Sequence, residues 1–146
     1  PMAEAIAGQL NEIGIKTDVE VLESGAISDR RKSGDWDLSL AAMSTAMIAD
    51  PSYYLSFSYQ TGGAFNHAGY SNPRVDGLLE EASESQDPEE RLSMLNEVQS
   101  IVHDELPIIN VAYYGVAVAK KDYVKGYQFD PTAHDYKLNP EMYLEK

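Results

Sequence analysis

A chain of 146 residues with 43% hydrophobic and 10% aromatic side chains has the length of one domain and enough apolar matter for a core. Its 24 acidic and 11 basic residues give a formal charge of −13, which excludes a surface built for nucleic acid or anionic lipid. There is no cysteine, so disulfides, thiolate metal sites and cysteine nucleophiles are excluded within it. Acidity this diffuse reads as a solvated surface that attracts cations weakly. No apolar run approaches the ~20 residues of a membrane span.

The opening Pro1-Met2-Ala3-Glu4 runs straight into a helical pattern, as at a boundary inside a longer protein. Ile6, Leu10 and Ile13 recur at helical spacing among alanines, predicting a helix over 2–13 that Gly14 stops. Residues 15–22 alternate, with Ile15, Thr17, Val19 and Val21 on one side, as in a half-buried strand. A short helix over 28–33 ends at Gly34, and the apolar run 36–43 reads as a strand covered on both faces. A short helix over 52–57 leads to a loop, 59–73, rich in Gly, Asn and Ser.

Asn72 caps the next helix, with Pro73 at its first position and Val75, Leu78, Leu79 and Ala82 as its apolar stripe. Asp87-Pro88-Glu89-Glu90 starts another in the same way, with Leu92, Leu95, Val98, Ile101 and Val102 as its buried face. An extended run over 108–119 and a loop-like tail follow. Helices interleaved with apolar strands predict an α/β layer, with too few strands for a complete sheet.

No phosphate loop, His-Glu-x-x-His zinc motif or nucleophile elbow is present, so the chain reads as no enzyme. A fragment of a hydrolase with its nucleophile upstream is the alternative of another class. Glu80-Glu81 and Glu89-Glu90 are adjacent pairs that do not converge, and they read as solvated helix faces. His103, near a helix end, reads as structural, and His134, beside Asp135, as solvent-facing or packed on a neighbouring lobe. His67 stands apart, in the loop Thr61-Gly-Gly-Ala-Phe-Asn-His-Ala-Gly-Tyr70, where glycines let backbone and side chains approach a small ligand. A neutral imidazole suits nickel, although one histidine is not a complete site. Tyr53, Tyr54, Phe57 and Tyr59 just before it either fill the core or offer stacking to a ligand.

Several stretches, in order along the chain, resemble one family. They are 2–15 ending in Gly14-Ile15, Arg30-Arg-Lys-Ser-Gly-Asp-Trp-Asp-Leu-Ser39, Gly69-Tyr-Ser-Asn-Pro-Arg-Val-Asp-Gly-Leu-Leu79, Asp87-Pro-Glu-Glu-Arg91 and Glu105-Leu-Pro-Ile108. The resemblance is to extracellular solute-binding protein family 5, the peptide/nickel group of ABC importer binding proteins. It implies a partial C-terminal lobe of a two-lobed, periplasmic-binding-protein-like type II fold. Residues 1–126 would belong to that ligand-binding lobe, and the tail 127–146 would return to an N-terminal lobe. The implied function is capture of nickel or another metal chelate between lobes and delivery to a membrane permease. A di- or oligopeptide is the alternative cargo. The implied location is extracytoplasmic, in a periplasm or on a cell-surface lipoprotein.

By the same resemblance, the ligand would meet Thr45, Met47, Ala49, Asn66, His67 and Tyr70, with His67 as the metal donor. No resident cofactor is implied. Met47 falls where peptide-binding members carry an acidic partner for the peptide ammonium group. Thr45 and Ala49 fall where some nickel-binding members carry aromatics. An isolated lobe, holding half the contacts, is expected to bind ligand very weakly or not at all.

Overall fold

The computed structural model describes residues 1–43, 50–113, 117–128 and 140–145. The chain divides into two compact units, Pro1–Met43 and Ser44–Lys146.

In the first unit, α1 (Met2–Glu12) ends where expected, with Gly14 at φ +88°. The Asn11 amide donates to the Ala7 and Thr17 carbonyls at 2.8 and 3.3 Å and accepts from the Thr17 amide at 3.1 Å. One side chain thus ties the last turn of α1 to the backbone of Thr17. The second helix, α2 (Ser24–Ser33), starts four residues earlier than its pattern predicted, and Gly34 closes it at φ +76°. Arg30 forks onto Glu20 at 2.6 and 3.1 Å. Arg31 holds the Ser39 hydroxyl at 2.7 Å and the Leu40 carbonyl at 2.8 Å. Long side chains, not a ladder, hold the non-helical segments of this unit.

Residues 15–22 and 36–43 form no strand, which corrects both expectations. Alternation alone does not make a strand. The backbone needs a neighbour about 4.8 Å away to take its hydrogen bonds, and no described residue provides one. Ile15, Val21 and Leu38 are accordingly exposed. The expected strand over 108–119 is likewise absent among its described residues; 114–116 lie outside them.

The second unit is built on three helices that start alike. α3 (Pro51–Tyr59), α4 (Pro73–Glu84) and α5 (Pro88–Glu105) each carry an Asp or Asn cap followed by proline. Each cap accepts amide hydrogens of the first turn, and proline sacrifices no bond at that position. The α4 stripe is buried as predicted, through Val75, Leu78, Leu79 and Ala82. It packs with Leu55 and Tyr59 of α3 and Leu95, Val98 and Val102 of α5 into one core. Each of its larger aliphatic side chains contributes about 1.5–3 kcal/mol by leaving water. Leu92, expected in the buried face, is 54% exposed, because it stands at the rim of a cleft beside Pro51 and Pro88.

Beyond the helices, β1 (Val124–Lys125) pairs antiparallel with β2 (Tyr143–Leu144). Gly126 turns at φ +70°, and a Cβ there would overlap the Glu141 carbonyl. The described residues therefore meet the α/β expectation on its helical side, with two two-residue strands as their sheet.

Candidate functional site

The loop between α3 and α4 is the site the sequence nominates, and three residues organise it. Asn66 donates to the Gln60 carbonyl at 2.9 Å and the Tyr70 carbonyl at 2.7 Å, and its oxygen accepts the Tyr70 amide at 2.9 Å. One amide side chain therefore draws the two ends of the loop together. Thr61, at its start, meets Asp76 of α4 through its amide at 2.8 Å and its hydroxyl at 2.6 Å. Tyr70, at its end, donates its hydroxyl to Glu105 at 2.5 Å. Burial and that bond to a carboxylate push the Tyr70 hydroxyl up to about 12.

Gly63 is required for packing. A Cβ there would lie 2.6 Å from the Phe57 carbonyl and 2.7 Å from that of Ser56. An aromatic chain leads from α3 into the loop. Tyr53 meets Phe57 with ring centres 4.6 Å apart and Phe57 meets Phe65 at 5.5 Å, both pairs tilted. Tyr59 meets Tyr54 and Tyr70 edge-on. Tyr59 is buried, so this part of the cluster is core, whereas Phe65 is 42% exposed.

On this frame His67 is half-buried, and its amide donates to the Phe65 carbonyl at 2.9 Å. Its imidazole makes no hydrogen bond or ion pair with a described residue. Of the six residues nominated, Asn66, His67 and Tyr70 come together here, while Thr45, Met47 and Ala49 lie outside the described residues. The polar atoms of Asn66 are engaged within the loop, and the Tyr70 hydroxyl on Glu105, which leaves the imidazole as the nominated group with no partner among the described residues. Among the described residues no group of three or more His, Asp or Glu is placed to hold a metal. A metal at His67 would need donors that it brings as a chelate or finds elsewhere.

A second node was not nominated. The Arg91 Nη2 meets both Asp50 oxygens at 2.7 Å and the Ser52 hydroxyl at 2.8 Å, while Nε reaches the Ala82 carbonyl at 3.1 Å. The hydrogen bond from Arg91, then that from Ser52, holds the Asp50 carboxyl at about 2. This ties the start of α3 to the ends of both other helices. A shallow cleft of about 390 Å³ opens beside it over Leu95, and it contains none of the nominated residues. Both nodes join motifs that the sequence shows separately: Asp50-Pro51 with Asp87-Pro-Glu-Glu-Arg91, and Gly69–Pro73 with Glu105-Leu-Pro-Ile108. Asp50 and Asn72, each just before a proline, were the available signal; their partners Arg91 and Glu105 were not readable.

Comparison with known proteins gives this helical frame a context. Residues 1–66 match the profile described as bacterial extracellular solute-binding proteins, family 5 Middle. Similar relatives include the probable D,D-dipeptide-binding periplasmic protein DdpA of Escherichia coli K12, 29% identical over 90% of this chain and 26% of its own length. The nickel-binding protein NikA of Staphylococcus aureus is 25% identical over 89% of this chain and 26% of its own. Heme-binding protein A of Haemophilus influenzae is 32% identical over 92% of this chain and 25% of its own. All three are named as binding proteins. The match places residues 1–66 among the bacterial extracellular solute-binding proteins of family 5, and the likeness to such binding proteins runs on through the rest of the chain. It spans about a quarter of the length of the curated relatives it matches. No helix among the described residues is long and apolar enough to cross a membrane.

Proposed function

We propose that this chain is part of the substrate-binding component of an ABC importer. In this reading it forms most of the later half of a C-terminal lobe, 1–126, with 127–146 as a tail toward the other lobe. The role is capture, not catalysis, in an extracytoplasmic compartment. The single observation that carries the reading is the family likeness running through nine-tenths of the chain. Each lobe would present half a site, and closure would bury the ligand, driven by the ligand's greater affinity for the closed state. A membrane permease would then receive the cargo.

Two cargoes stand level. A metal chelate, nickel first, is favoured by His67, whose half-buried imidazole pairs with no described residue, on a loop held at both ends. Imidazole is a good ligand for nickel, and a chelate would bring the donors that the loop lacks. A short peptide is favoured by relatives named for dipeptides. Native mass spectrometry of the full-length protein, purified without added ligand, separates them: a nickel-containing mass supports the first and a peptide mass the second. His67→Ala should abolish nickel retention; unchanged retention removes His67 from the site. An apo protein that binds neither nickel–histidine nor a dipeptide in calorimetry would reject both.

A further inference from the structure

Glu105 is the last residue of α5 and follows Asp104, at the helix end where the dipole disfavours acidic side chains. Yet its carboxylate is fully engaged. Tyr70 donates to Oε2 at 2.5 Å, and the Asn72 amide reaches Oε1 and Oε2 at 3.0 and 3.2 Å. Those bonds hold the Glu105 carboxyl below its ordinary range. Tyr70 closes the His67 loop, and Asn72 caps α4 through the Arg74 amide at 2.9 Å. One carboxylate from a residue 33 to 35 positions away thus fixes where the loop ends and where the next helix begins.

The backbone beside it is pinned too. Leu106 has φ +49°, a left-handed conformation that a non-glycine residue keeps only where its surroundings impose it. Its amide still donates to the Val102 carbonyl at 3.1 Å, and Ile108 packs on the core just beyond. The end of α5 is therefore a fixed point against which the loop is set.

We infer that Glu105 is a positioning residue for ligand binding: it latches the Tyr70 end of the loop so that the His67 imidazole and neighbouring backbone stand preset toward the ligand. This rests on the reading that the loop faces a ligand, and it adds what holds the loop in place. Asn66 draws the loop together from within, and Glu105 fastens it to the helices. Ordering before binding lowers the entropy cost of capture.

The test uses the full-length protein and its Glu105→Ala, Glu105→Gln and His67→Ala variants. Hydrogen exchange is followed in peptides covering 61–72 and 88–102, and affinity for nickel–histidine and for dialanine is measured by calorimetry. Glu105→Ala should speed exchange in 61–72 about tenfold and leave 88–102 unchanged. It should also weaken whichever probe the wild type binds. Glu105→Gln keeps an oxygen acceptor for Tyr70 and Asn72, and should restore most of both properties. Unchanged loop exchange in Glu105→Ala overturns the latch, and so does a loosened loop with full affinity. Loosening of 88–102 by the same factor in both Glu105 variants also overturns it, because Glu105 would then be a general stability residue. Lost affinity in His67→Ala with unchanged exchange in Glu105→Ala removes the latch alone. Full nickel–histidine affinity in His67→Ala removes the metal reading of the loop, and full affinity for both probes in both His67→Ala and Glu105→Ala removes its ligand reading and the positioning role with it.

Discussion

Residues 1–43 and residues 51–106 are both rich in helix, yet only the second stretch closes a core. The first buries Ala7 and leaves Ile13, Ile15, Val21 and Leu38 more than half exposed. The second buries nine residues in one cluster, with Val75, Ala82 and Val98 at 0% exposure. Helix formation is local, set by caps and spacing. Burial requires a facing surface, and three helices with identical starts provide it for one another.

The sharpest way to break this comparison is paired truncation. Leu95→Ala should cost about 2–5 kcal/mol, the transfer term plus a cavity. Val21→Ala, at a fully hydrated site, should stay within about 0.5 kcal/mol. Urea unfolding of both variants checks this, and equal losses would mean that the two stretches are stabilised alike.

Next in size is Gly63→Ala, expected to cost about 1–3 kcal/mol because two backbone carbonyls must move to admit a methyl group. Changes in amide chemical shift should centre on 56–66, and a silent variant would show that the loop can relax.

Arg91→Ala should cost about 1–2 kcal/mol at neutral pH, since Asp50 loses its main partner. Asp50 titrates at about 2 in the folded protein against an ordinary 3.8. A depressed carboxyl stabilises the fold above the unfolded value, and that contribution fades as pH falls from about 4 toward 2. With the side chain about a third exposed, screening leaves this contribution near 1 kcal/mol. The gap between wild type and Arg91→Ala should therefore narrow between pH 5 and pH 2.5 in denaturant melts. A constant gap would mean that the pair acts through packing alone.

The smallest effect is expected at Leu106. Glycine accepts its positive φ without strain, so Leu106→Gly should gain about 0.5 kcal/mol, the strain relieved exceeding the added chain entropy. A clear loss in thermal melts would assign the exposed leucine side chain a packing role.

The sequence was most legible where structure is local. Asn72-Pro73 and Asp87-Pro88 announced α4 and α5, and Gly14 and Gly34 ended their helices as read. It misled where a distant partner decides: Val21 alternates correctly and has no neighbour, and Leu92 keeps the α5 period while the packing of α3 leaves it at a rim. At the loop, His67 and its aromatic company were visible from composition. The bonds of Tyr70 to Glu105 and of Asp50 to Arg91 were not, because no local pattern encodes a contact across tens of residues.

The turn at Gly126 has a practical consequence. Its α-carbon sits so close to the Glu141 backbone that a single methyl group would bar residues 140–145 from their present seat, without altering any side-chain chemistry. Gly126→Ala is therefore a reporter. In an intact protein that keeps this seat, the change would shed the β1–β2 pairing; in one that sends the tail to another lobe, it would spare every contact made there.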